Sequence, residues 1–138
     1  KLFFDGRKET FSSISPLKNQ KTIWFHAASL GEFEQARPVI EEIKQQFKKY
    51  KILVTFFSPS GYEIRKNYQL ADVICYLPLD SKKNAQKFIE VVNPTMAIFV
   101  KYEFWPNFLN ELKQALLQKS FSGEKTTESD RLKEETLA

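Results

Sequence analysis

The stretch from Thr22 to Phe47, TIWFHAASLGEFEQARPVIEEIKQQF, constrains the fold more than any other. Its first six residues, Thr22 to Ala27, are apolar on both faces, the pattern of a parallel strand covered by helices on each side. A turn of small residues follows. Phe33, Ala36, Val39, Ile40, Ile43 and Phe47 then recur at helical spacing. The stripe stays in phase across Pro38, which predicts a single bent helix from about Gly31 to Phe47. A buried strand feeding a helix is the unit of an α/β sheet, whose ligands bind beyond the carboxyl ends of the strands. Function is therefore to be sought at the turn.

Glu32 stands at that place and admits two readings. Ser29 and Glu32 have the S-x-x-E spacing of a capping box, in which the serine oxygen and the glutamate carboxylate each take a free amide. A carboxylate at the mouth of a sheet also suits a general base toward a hydroxyl. His26, the only histidine, closes the strand, where it can orient that carboxylate, contact a substrate or satisfy a buried hydrogen bond.

The pattern returns along the chain. Lys51 to Phe57 reads as a second strand, and Ser58-Pro59-Ser60-Gly61 turns into a short helix through Tyr62, Ile64, Arg65 and Tyr68. Its hydroxyls and amides suit a phosphate or a sugar, and equally an ordinary N-cap. Asp72 to Leu77 is a third strand, followed by a helix to Val92 capped by Ser81, with Ala85, Phe88, Ile89 and Val92 inward and Lys82, Lys83 and Lys87 outward. Thr95 to Val100 is a fourth strand, which delivers Lys101, Tyr102 and Glu103 to the edge that holds Glu32. Glu103 pairs with Lys101, caps the next helix or serves the site. Trp105-Pro106 opens a helix through Phe108, Leu109, Leu112 and Leu116. No G-x-G-x-x-G fingerprint supports a dinucleotide site, and no His/Cys/carboxylate group has metal-ligand spacing.

A chain of 138 residues, 42% hydrophobic, buries one core and forms one domain. The net charge of +4 suits an anionic partner, whether nucleic acid, phospholipid headgroups or a phosphorylated glycolipid. The lone Cys75, in VICYL, excludes an internal disulfide framework and reads as core. No apolar run reaches the ~20 residues that span a bilayer, and the opening KLFFDGRK lacks the signal-peptide pattern, so the chain as written reads as soluble. Residues 1–21 form an arm, whose Phe3 and Phe4 beside Arg7 and Lys8 either rest on anionic lipid or pack on the domain. Residues 22–118 form the sheet domain, and 119–138 a polar tail, flexible or an exposed helix.

The block WFHAASLGEFEQARPVI, with the later KYEFWPN, resembles the amino-terminal half of the Kdo transferases of lipopolysaccharide synthesis, over roughly Phe4 to Leu112. That family carries a similar H-A-x-S-x-G-E block. The resemblance implies a Rossmann-like parallel sheet with helices on both faces, as in the amino-terminal domain of a GT-B glycosyltransferase. It places a catalytic base on Glu32, a second acidic residue on Glu103, and substrate contacts on Ser29, Gly31, Ser58, Ser60, Gly61, Arg37 and His26. The implied reaction is inverting transfer of Kdo from CMP-Kdo to the lipid A precursor, with no metal or cofactor. The implied partners are the lipid A precursor, CMP-Kdo and the membrane surface, at the cytoplasmic face of the bacterial inner membrane, and no nucleic acid. CMP-Kdo is expected to bind mostly to a carboxyl-terminal half outside this stretch, which alone is expected to be inactive. Gly6, Arg7 and Lys8 resemble an element that follows the family's membrane anchor, so the arm is expected to follow an anchor that has been removed. The alternative is a stand-alone flavodoxin-like or receiver-like binding module. A receiver groups acidic residues after its first strand, whereas this strand ends His26-Ala27-Ala28-Ser29.

Overall fold

Strands β1 (Thr22–Ala27), β2 (Lys51–Phe56), β3 (Val73–Tyr76) and β4 (Met96–Phe99) form one parallel sheet in the order β3-β2-β1-β4. The computed structural model describes residues 2–101 and 105–137, with side chains for 4–101 and 105–121. Helices α1 (Leu2–Lys8) and α2 (Thr10–Ile14), with a 3-10 turn at Ser15–Leu17, precede the sheet. Helices α3 (Leu30–Gln46), α4 (Pro59–Arg65), α5 (Lys82–Val92) and α6 (Pro106–Leu137) follow the four strands in turn. This is the Rossmann-like α/β arrangement that the strand-helix alternation predicts.

Period-two alternation along β1 divides the core into two layers. Trp24 faces Leu53, Cys75, Phe88 and Phe108, on the side closed by α2, α5 and α6. Ile23, Phe25 and Ala27 face Phe33, Ala36, Ile40 and Phe56, on the side of α3 and α4. All of β1 is buried, as a central parallel strand should be. Cys75 lies in the first layer, and burial pushes its thiol up to about 12.

The long helix is single, and Pro38 lies inside it. Its inward face is narrower than its apolar stripe: Phe33, Ala36 and Ile40 are buried, but Val39 is 47% and Phe47 49% exposed. Val39 falls on the rim of the stripe, and Phe47 is the residue that ends the helix. In α5 the four predicted inward residues are all buried. Ser81 caps it, its Oγ accepting from the Asn84 N–H at 3.2 Å, and left-handed Asn93 (φ 39°) ends it.

The arm docks rather than hangs. Ile14 and Leu17 belong to the core, and the Thr10 hydroxyl donates to the Tyr76 carbonyl at 2.9 Å. Gly6 lies against the Tyr76 ring, where a Cβ would stand 2.4 Å from Cε2. Phe4 remains 60% exposed. At the other end α6 continues past Lys119, whose ammonium donates to the Pro94 carbonyl at 2.8 Å, and runs to Leu137. Among the described residues no helix is long and apolar enough to cross a membrane.

Candidate active site at the carboxyl edge of the sheet

Between β1 and α3 the chain turns through Ala28 and Ser29, leaving the first amides of α3 without intrahelical partners. Glu32 meets that need with one oxygen. Its Oε2 accepts from the Ala28 N–H at 2.6 Å and the Ser29 N–H at 3.3 Å. Ser29 and Glu32 thus form the capping box foreseen from their spacing; the carboxylate half is tight, and the serine hydroxyl half lacks a strict cap bond. Among the described residues Glu32 Oε1 has no hydrogen-bond partner. One carboxylate can therefore cap the helix and still offer an oxygen to a ligand.

The turn after β2 lies beside the first. The Ser58 N–H donates to the Ala28 carbonyl at 2.8 Å, and Ser58 and Ser60 share a hydroxyl bond of 2.9 Å. Gly61 is wedged between the two turns: a Cβ there would stand 2.4 Å from Phe56 Cδ1 and 3.1 Å from the Leu30 backbone nitrogen. Gly31, by contrast, has open space where its Cβ would be. Ser29, Gly31, Glu32, Ser58, Ser60 and Gly61 are thus gathered on two adjoining turns.

Three other candidates stand apart. Arg37 lies farther along α3, half-exposed, with its Nε 3.1 Å from Glu34 Oε2; Arg65 grips the other Glu34 oxygen. His26 is fully buried beneath the edge, with Nδ1 2.9 Å from the Thr55 hydroxyl. Desolvation lowers its pKa to about 4, against a small opposing effect of Thr55, so the ring is neutral at physiological pH. Glu103, with Tyr102, lies outside the described residues. The strand that leads to it is fastened to β1, the Val100 N–H donating to the His26 carbonyl at 3.0 Å. Lys101 then takes a left-handed φ of 63°, a turn that costs a non-glycine residue energy.

Arg7, Asp80 and Thr55 also shape this edge; the sequence marks Arg7 only as a cation of the arm, and the other two not at all. Arg7 is buried, donating from Nε to the Leu77 carbonyl at 3.0 Å and from Nη2 to the Phe57 carbonyl at 2.7 Å. Its guanidinium lies 4.8 Å from the Phe57 ring centroid and 5.1 Å from that of Tyr76. Asp80 caps α6 from another loop, accepting from the N–H groups of Phe108 at 3.1 Å and Asn107 at 3.3 Å. Asn107 returns a bond from Nδ2 to the Asp80 carbonyl at 3.1 Å. Among the described residues no group of three His, Cys, Asp or Glu side chains could hold a metal ion.

The family model described as 3-Deoxy-D-manno-octulosonic-acid transferase (kdotransferase) matches residues 5–119. A 3-deoxy-D-manno-octulosonic acid transferase of Aquifex aeolicus is 37% identical over 108 residues, 77% of this chain and 30% of the relative. One from Haemophilus influenzae is 34% identical over 91 residues, 65% of this chain and 21% of the relative. A bifunctional glycosyltransferase/methyltransferase of Fusobacterium nucleatum is 27% identical over 78% of this chain and 17% of its own length. The chain therefore spans less than a third of the length of these relatives. On the strength of a match that runs from α1 into α6 and takes in both turns of the site, the chain belongs to the 3-deoxy-D-manno-octulosonic-acid transferase family, as its amino-terminal region.

Proposed function

We propose that this chain is the acceptor-side, base-bearing part of a glycosyltransferase that moves Kdo from CMP-Kdo to the lipid A precursor in lipopolysaccharide synthesis. The observation that carries the reading is the division of labour in Glu32: Oε2 holds the amides of Ala28 and Ser29, and Oε1 faces no partner among the described residues. As the acceptor hydroxyl oxygen bonds to the anomeric carbon of Kdo, its proton passes to Oε1 and CMP departs with the bonding pair of the glycosidic phosphate bond. The capping bonds fix the base before substrate arrives. Ser29, Ser58 and Ser60 supply hydroxyls beside it, Gly31 leaves the approach open, and Glu103 is the second acidic group of the site. Residues 22–118 are the acceptor-side domain. CMP-Kdo is held mainly by a further domain of the longer protein, so residues 1–138 alone carry out no transfer.

The acceptor is a lipid, and the arm suits a position at the cytoplasmic face of the inner membrane. Exposed Phe4 borders a groove shared with Phe11, Leu79 and Asn84, with buried Arg7 in its wall and the exposed Lys8 ammonium at its edge.

The decisive experiment is Glu32→Gln in the longer protein. Glutamine keeps an oxygen for the cap, so stability should change by no more than ~1 kcal/mol. It cannot accept a proton, so turnover should fall ~10²–10⁴-fold with acceptor binding nearly unchanged. A variant that keeps most of its turnover would reduce Glu32 to a cap.

A further inference from the structure

Below the two turns, five side chains from three strands and a helix start form a chain of contacts. The Trp24 indole N–H donates to the Thr55 hydroxyl oxygen at 2.8 Å. Thr55 has one hydroxyl hydrogen to give. Its possible acceptors are His26 Nδ1 at 2.9 Å and the Phe25 carbonyl at 3.5 Å. The carbonyl stands at the outer limit of a hydrogen bond, which favours donation to Nδ1 and a ring hydrogen on Nε2 over the reverse arrangement, in which Nδ1–H would donate to the hydroxyl oxygen. On its remaining sides the His26 ring meets Phe99, with centroids 5.7 Å apart, and Trp105, 5.6 Å away and perpendicular at 89°. Trp105 is held from another side by Phe57 at 5.0 Å.

Two buried ring nitrogens on these touching rings, His26 Nε2 and Trp105 Nε1, have no hydrogen-bond partner among the described residues. An unmet donor in a dry interior is costly and calls for a reason. A neutral imidazole packed by its edge or face on an indole gains a weak N–H or C–H contact with the π system instead.

We infer that His26 is a positioning residue: the Trp24–Thr55 relay fixes its Nε2–H tautomer, and the ring so oriented sets Trp105 at the start of α6. Trp105 follows directly on the 101–104 segment, which carries Glu103 into the second motif of the family. His26 thereby registers one motif against the other without touching substrate. The functional consequence rests on the transferase reading; the tautomer and the ring contact do not.

The test labels the histidine ring nitrogens and the tryptophan indoles with ¹⁵N in the 138-residue chain. The wild-type ring should show a protonated Nε2 and an unprotonated Nδ1. Thr55→Ser should keep that pattern, and Thr55→Val should shift the ring toward the Nδ1–H form. Among the described residues no hydrogen bond joins Trp105 to Thr55, so its indole signal should move in Thr55→Val through the His26 ring and stay in Thr55→Ser. An Nδ1–H tautomer in the wild type overturns the relay, a result that stands even if Thr55→Val does not fold. A Trp105 signal indifferent to a changed tautomer overturns the positioning role. In the longer protein Thr55→Val should lower kcat about tenfold with acceptor KM unchanged, and Thr55→Ser should restore it. An unchanged kcat with an altered tautomer would also overturn the role. Since the nitrogen signals need no substrate, failure here is distinct from failure of the transferase reading.

Discussion

Alanine should destabilise the protein at one glycine of the site and not at the other. At Gly61 the new methyl group would sit 2.4 Å from Cδ1 and 2.7 Å from Cε1 of Phe56, and 3.1 Å from the Leu30 backbone nitrogen. Phe56 cannot swing away, since it is fully buried and its ring packs on Phe33 with centroids 5.5 Å apart. The overlap is about 1 Å against ordinary van der Waals separation. Relieving it means moving a core ring or the start of α3, at a cost typical of overpacking, ~1–3 kcal/mol or somewhat more. Alanine's better helix propensity returns at most ~1 kcal/mol. Gly61→Ala should therefore lose ~1–2 kcal/mol. Gly31→Ala meets nothing within 4 Å and should be neutral or gain up to ~1 kcal/mol. Urea unfolding of the three chains, compared at equal m-value, measures the gap. A Gly61→Ala protein as stable as wild type would refute the packing argument. Activity adds a second use for the pair: if substrate approaches bare backbone at Gly31, its alanine variant in the longer protein should bind acceptor less well while melting no earlier.

Acid should act on the fold through His26. Its folded pKa, about 4 against 6.5 ordinarily, is depressed, so the unfolded chain takes the proton first and stability falls as pH drops from ~6.5 to ~4, by about 3 kcal/mol in all at ~1.4 kcal/mol per unit. Burial works to raise the Asp72 carboxyl, but bonds from Lys44 and the Ile52 N–H hold it below its usual value, so its loss begins only below about pH 4. Stability flat between pH 7 and 4.5, or a folded-state His26 titrating near 6.5, would contradict this. Asp80→Ala should cost ~0.5–2 kcal/mol, because it strips the first turn of α6 of its carboxylate; Asp80→Asn should recover most of that, and equal losses would mean the cap is not the cause.

What the sequence revealed was local and periodic. The β1–α3 unit, the in-phase stripe across Pro38, the capping box of Ser29 and Glu32 and the inward face of α5 each depend on residues within a few positions of one another, so their spacing declares them. That β1 is a parallel strand covered on both faces could be read from its apolar residues, whereas the order of the strands could not. Where the reading ran wide, a stripe was broader than the face that buries it, as at Val39 and Phe47. What was hidden is long-range. Arg7 reads as a surface cation, yet it bonds carbonyls at Phe57 and Leu77, an arrangement with no local signature. Thr55 looks like any β-branched strand residue until Trp24 and His26 are found on the same face. Asp80 caps a helix that begins at Pro106, far beyond the reach of any capping pattern.

The strand order has a consequence for how the molecule is made. β1 lies between β2 and β4, so the strand synthesised first among the four is flanked by the second and by the last. Its pairing with β2 needs only the α3 crossover, whereas Ile23 meets Met96 after β3 and α5 have emerged as well. Closing that larger loop adds little entropy cost beyond the first closure, but it must wait for the chain, and non-local parallel pairing is slow. Through that interval β1 offers one open edge of unpaired backbone groups on a mostly apolar strand, the kind that recruits a stray strand from another chain. The closing step brings Val100 onto the His26 carbonyl and Phe99 onto the rings of Trp24 and His26. The same docking that buries the vulnerable edge therefore assembles the floor of the site, and a nascent chain stalled before Pro94 would have neither.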